Sequence, residues 1–179
     1  MPISLLARIP LVVVGTAFSL IFLSLAAAGQ TPPGGTFTSN EGGFSAFFPG
    51  IPKQKSETIN TTTNGPTVLH TFMIEENEGR SFYLVGYSDY ETTLDAEASL
   101  NGVINGQLES MKGKLTADKK IALNGHPGRS VTLETEDAVF YSSVYIAGKR
   151  LYQVMYGLEK GQSLSADAKK FLDSFKILI

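Results

Sequence analysis

Two histidines, two carboxylate clusters and a set of paired tyrosines are the side chains of this 179-residue chain whose types and spacing bear on chemistry. His70 alternates with Val68 and Phe72 on one face of a strand, the setting of a core or edge histidine whose ring nitrogens are satisfied. His126 falls in Gly125-His126-Pro127-Gly128, an exposed turn position able to serve a ligand, although no acid lies near it in sequence. With no Cys in the chain, neither zinc-ligand spacing nor a His-based catalytic set emerges. Glu75, Glu76 and Glu78, and again Glu134, Glu136 and Asp137, offer oxygen ligands suited to calcium, but the EF-hand spacing is absent and both runs read as solvated turns. There is no Gly-x-Ser-x-Gly elbow, and the glycine pairs lack the strand, loop and helix order that aims amides at a phosphate.

The tyrosines are the more informative set. Tyr141 and Tyr145 share one face of a strand, Tyr152 and Tyr156 share one face of the next, and Tyr83 and Tyr87 form a similar pair earlier. Such pairs stabilise a sheet by cross-strand packing, roughly 0.2 to 1 kcal/mol each. The functional alternative is an exposed tyrosine face, flanked by His126, that binds a partner or an apolar ligand, and it requires several hydroxyls in solvent on one side.

Those residues must be positioned by elements legible in the pattern. Phe44 to Phe48 alternates as a strand with Phe44, Ala46 and Phe48 on one face and Phe47 on the other, ended by Pro49-Gly50-Ile51-Pro52. Gln54 to Thr63 is polar and reads as an edge strand, turning at Asn64-Gly65 into Val68 to Ile74. Phe82 to Tyr87 is a further strand. Between Asp95 and Lys114, Leu100, Val103, Ile104, Leu108 and Met111 recur at helical spacing, with Gly102 and Gly106 inside as marks of close packing on a sheet. Strands at Lys120 to Leu123, Ser130 to Glu136, Val139 to Ile146 and Leu151 to Leu158 follow, the third joined to the fourth through Ala147-Gly148-Lys149-Arg150. Ser165 caps a last helix with Ala168, Phe171, Leu172 and Phe175 as its buried stripe, and Ile177 to Ile179 closes the chain as a strand. The fold class is α+β: an antiparallel sheet covered by two main helices.

Ahead of this domain stands an export signal over residues 1–28, with Arg8 as its positive region, Leu11 to Leu25 as its apolar region and Ala26-Ala27-Ala28 as its cleavage site. An uncleaved anchor is the alternative, since this apolar length just spans a bilayer. Residues 29–41, rich in Pro, Gly, Ser and Thr, read as a flexible linker, leaving 42–179 as one domain. Removing Arg8 from the 15 basic side chains leaves them outnumbered by 17 acidic ones. A mildly acidic chain without a basic run argues against nucleic acid and against anionic membrane surfaces as partners. Without disulfides, an exported domain must be held by its core.

The segments "GGFSAFFPGIPK", "GHPGRSVTLE", "GKRLYQVMYG" and "SADAKKFLDSFKI" resemble, in order and spacing, the PsbP-like family of exported bacterial and thylakoid-lumen proteins. The resemblance rests on Gly43-Phe44 with Pro49, on Gly148 before Leu151-Tyr152, and on Ala168-Lys169-Lys170-Phe171 before Ser174-Phe175, and it covers most of residues 42–178. It implies an α/β/α sandwich and a non-enzymatic accessory role, supporting a membrane-associated protein complex such as the oxygen-evolving side of photosystem II. It also implies a periplasmic or other extracytoplasmic location, the thylakoid lumen in a photosynthetic host, and it transfers no metal or cofactor residues. The chain departs from the family in its short Pro-Gly-rich lead, where a photosystem-docking segment would stand. Two further functions remain open on the residues: a carrier of a small apolar molecule in a Tyr- and Phe-lined cleft between helix and sheet, and an enzyme using His126 or a carboxylate such as Glu76.

Overall fold

The computed structural model describes residues 34–61 and 65–179, so the expected export signal, the start of the expected linker and Asn64 of the expected Asn64-Gly65 turn lie outside the described residues. In chain order the elements are β1 (Gly35–Ser39), β2 (Phe44–Phe48), β3 (Lys53–Thr61), β4 (Gly65–Glu76), β5 (Ser81–Asp89), α1 (Ala96–Met111), β6 (Lys114–Leu123), β7 (His126–Glu134), β8 (Ala138–Ala147), β9 (Arg150–Glu159), α2 (Ala166–Ser174) and β10 (Lys176–Ile177). Seven strands form one antiparallel sheet in the order β3-β4-β5-β9-β8-β7-β6, and β1-β2-β10 form a second, three-stranded one.

Period-two alternation sorts the side chains of the large sheet into two cores. On one face Phe82, Leu84, Phe140, Val131, Leu133 and Met155 pack under Leu100, Ile104 and Met111 of α1. On the other, Phe72, Tyr83, Val85, Tyr87, Tyr152, Val154 and Tyr156 pack under Phe44, Phe48, Ala168, Phe171 and Phe175. Every residue of β5 from Ser81 to Ser88 is therefore buried. The expected α+β arrangement, with a helix on each face, is present. Its second layer is not α2 alone, because the small sheet shares that face with it.

Phe44 and Phe48 are fully buried and Phe47 nearly so. Phe44 meets Phe72 at 5.1 Å, and Phe48 meets Phe171 at the same centroid distance. Phe47 is covered from outside by the Lys170 ammonium, 4.0 Å from its ring centroid. Asp95 and Ser165 cap α1 and α2, accepting from Ala98 N–H at 2.7 Å and Ala168 N–H at 3.0 Å.

Four expectations are corrected. Residues 29–41 are not wholly linker, because Gly35–Ser39 pairs residue for residue with Phe48 to Phe44, and Phe37 inserts its ring against Phe48 and Phe72. One aromatic between two threonines suffices there, since β2 supplies the rest of the apolar surface. Helix α1 ends at Met111, where Lys112 turns left-handed at φ 52° and Gly113 N–H closes on Leu108 O, and the strand expected from Lys120 to Leu123 begins at Lys114 instead. Gly102 faces open space and does not pack on the sheet. His126 is not in the turn: Asn124 and Gly125 both take positive φ, completing a two-residue hairpin, so His126 opens β7 opposite Leu123.

Replacing Phe44 by Ala is expected to cost about 3 to 5 kcal/mol in denaturant unfolding, through lost burial plus a cavity shared by the rings of Phe37, Phe72, Tyr87, Tyr152 and Phe175. A loss below about 1 kcal/mol would contradict its central place.

Candidate functional site

Register makes the tyrosines into two rungs across the middle of the large sheet. Tyr83 lies opposite Tyr156, which lies opposite Tyr141; Tyr87 lies opposite Tyr152, which lies opposite Tyr145. His70 extends the second rung on β4, its ring stacked on Tyr87 at 4.6 Å and its Nδ1 within 2.8 Å of Ser56 Oγ. At the far end of that rung stands Gly128, where a Cβ would sit 2.5 Å from the Tyr145 ring. Only glycine admits that ring.

The rungs are mostly interior. Tyr152 is fully buried and donates its hydroxyl to Gly42 O at 2.7 Å, while Tyr83 donates to Glu76 Oε2 at 3.0 Å. Tyr156 is buried too, so these two strands do not present four tyrosines to solvent. Tyr141 and Tyr145 are half-buried, and Tyr145 stacks on Phe175 at 5.7 Å. Burial pushes the Tyr83 phenol well above its ordinary range, with the Glu76 carboxylate adding to the rise, and burial likewise raises Tyr152 and Tyr156.

A second fixture holds the β1–β2 loop over the Tyr87 rung. Arg150 donates through Nε and Nη2 to the two Asp89 carboxylate oxygens, both at 2.6 Å, and through Nη1 to Glu41 O at 3.0 Å. Its guanidinium carbon lies 4.7 Å from the Tyr87 ring centroid. A bidentate pair stacked on an aromatic face suits Arg and not Lys.

The remaining candidates are separated. Glu76 lies beyond the Tyr83 rung and His126 beyond the Tyr145 rung, at opposite ends of the strands, so the structure does not bring them together. Glu134 pairs with Lys160 at 3.4 Å. Among the described residues no three His, Asp or Glu side chains converge as a metal site.

A groove of about 430 Å³ does lie between helix and sheet, at the first turns of α1 and the β6–β7 ribbon, but its lining holds neither Tyr nor Phe. Its wall is Arg129, whose guanidinium grips the Asp118 carboxylate through Nε and Nη2 and donates from Nη1 to Asn101 Oδ1 at 2.5 Å. The guanidinium holds the Asp118 carboxyl below the usual aspartate range. Periodicity missed this set, yet the Asn124-Gly125 turn contains the signal. Once it fixes Lys120 opposite Arg129, Asp118 becomes Arg129's diagonal neighbour on the same face.

Comparison with known proteins adds to this geometry. The chain is similar to the solution structure of cyanobacterial PsbP (CyanoP) from Synechocystis sp. PCC 6803, with a TM-score of 0.57 and 9% identity over 87% of this chain and 98% of that one. The fold is PsbP-like. No family model matches the chain, and no curated protein matches it in sequence. Among the described residues of this PsbP-like fold, no helix is long and apolar enough to cross a membrane.

The raised phenols set a pH dependence. Folding favours the neutral phenol, so this stabilisation is complete below the unfolded tyrosine pKa of about 10 and is lost as pH rises from there toward the folded values. The urea midpoint is expected to fall between about pH 9 and about pH 11, with absorbance at ~295 nm showing buried tyrosines ionising only as the protein unfolds. Ionisation of all seven tyrosines near pH ~10 in the folded state would contradict the burial.

Proposed function

We propose that this chain is an exported, non-enzymatic accessory domain that binds a membrane-associated protein complex from the extracytoplasmic side. The observation that carries the reading is the fold shared with cyanobacterial PsbP, which extends over 98% of that chain. The export signal read over residues 1–28 supports a location in the periplasm, or in the thylakoid lumen of a photosynthetic host.

The surface assigned to this role is the open end of the two tyrosine rungs. There Tyr141 and Tyr145 stand half-buried beside Thr132 and Ser143, with half-buried Ser130 next to Ser143 on β7. His126 lies farther along the same strand. Rings already fixed by stacking and by the sheet lose little conformational entropy on contact with a partner, and each carries a hydroxyl able to hydrogen-bond across an interface. Tyr156 and Tyr152 flank Tyr141 and Tyr145 on the neighbouring strand of the same face.

Affinity capture from detergent-solubilised host membranes tests the reading. The tagged protein is expected to recover subunits of one integral membrane complex, and Tyr141→Ala is expected to reduce recovery about tenfold, the loss of one interface anchor, with the variant still folded at the capture temperature by circular dichroism. Recovery of no membrane protein, or equal recovery by a tagged control of unrelated fold, would overturn it.

A further inference from the structure

The groove beside α1 has a hydrogen-bond inventory that its own residues do not spend. Of the five N–H donors of Arg129, three are engaged by Asp118 and Asn101, leaving two. Asn101 accepts through Oδ1, and its Nδ2 has no partner among the described residues. Lys120 reaches only Glu97, at 4.0 Å with both side chains largely in solvent, a contact too loose to occupy either. The groove also includes Ala96 and Glu97, the first turn of a sixteen-residue helix whose Asp95 cap engages the Ala98 N–H. On the acceptor side Asp118 is gripped by Arg129 through both oxygens, which leaves Glu97 at the rim. Unspent donors on Arg129, Asn101 and Lys120 thus meet in one groove, with the free Glu97 acceptors at its rim.

The floor is of the opposite character. Ala96, Leu100 and Pro127 line it on the α1 face, and Leu100 is nearly buried. A volume of about 430 Å³ falls inside the usual range for small-molecule sites, roughly 300 to 1,000 Å³. Arg129 is held by three hydrogen bonds before anything arrives, so little ordering is required of it on binding.

We propose that this groove binds a small carboxylate with an apolar body. The carboxylate accepts from the spare Arg129 and Asn101 donors and from the Lys120 ammonium, and the apolar portion lies on Ala96, Leu100 and Pro127. Lys120 swings from Glu97 to the ligand, an exchange of one exposed charge pair for a better one. The site lies on the α1 face of the sheet, away from Tyr141 and Tyr145, and a partner bound at the tyrosine rungs leaves it open.

Titration of the ¹⁵N-labelled protein with sodium octanoate below its micellar concentration, followed by amide shifts, tests this directly. Saturable shifts confined to Ala96 to Asn101, Asp118 to Ile121 and Gly128 to Arg129 are expected. 1-Octanol and octylammonium are expected to bind about tenfold more weakly or less, the loss of one charge-assisted hydrogen bond. Lys120→Gln, at an exposed position that leaves the fold intact, is expected to weaken octanoate several-fold with the remaining spectrum unchanged. Octylammonium binding as tightly as octanoate, shifts centred on Tyr141 and Tyr145, or the absence of saturable shifts would each overturn the proposal.

Discussion

Six tyrosines on one face of a seven-stranded sheet impose the constraint on which the rest of this structure depends. Their rings supply more apolar surface than a single nine-residue helix can cover, and their hydroxyls must find partners once water is excluded. The second layer answers both needs. β2 lays Phe44 and Phe48 over the rings, α2 adds Phe171, and Phe175 stacks on Tyr145. The loop after β1 presents the Gly42 carbonyl where the Tyr152 hydroxyl ends. Arg150 fixes the same loop through Glu41, so at Tyr152 the polar and apolar requirements are met by one short stretch of chain.

The opposite face follows a simpler rule, with an aliphatic and aromatic floor under a single amphipathic helix. Among the buried polar side chains on this face, Gln107 donates to Ser142 Oγ at 3.2 Å and leaves Oε1 buried without a partner among the described residues. Such a group costs on the order of 1 to 3 kcal/mol, which the surrounding Ile104, Met111 and Phe140 must offset. The sheet's outer strands need no cover. β3 is polar along most of its length, and β6 carries Lys114, Lys119 and Lys120 together with an irregularity between Leu115 and Ala117, devices that discourage edge-to-edge pairing.

Elements with a buried face and a chemical boundary were legible from residues alone. Phe44 to Phe48 ended by Pro49-Gly50, the Ser165 cap, and the Leu100, Ile104 and Met111 stripe of α1 all appear where alternation or helical spacing places them. Elements whose burial depends on a distant partner were not. β1 has one large apolar residue, Phe37, and becomes a strand because β2 pairs with it; Lys114 to Lys119 shows no alternation because an edge strand buries neither face. The tyrosine pairs were visible, but which of them lie under the second layer depends on register between β5, β9 and β8, and on where the β1–β2 loop lands. The Asn124-Gly125 turn brings Asp118 beside Arg129, whereas Asn101 reaches them from α1, a distance that no local pattern spans.

The central physical claim is that the tyrosine face is closed by the small sheet and α2 as part of one cooperative core, leaving only the ends at Tyr141 and Tyr145 accessible. Native-state hydrogen exchange on the amides of β2, compared with those of β9, tests it most directly. Ala46 and Phe48 are expected to exchange only with global unfolding, at the same free energy as Val154 and Tyr156. Exchange of β2 through a separate, lower-energy opening while β9 stays protected would contradict it, and would make the buried tyrosines a surface that the protein can uncover.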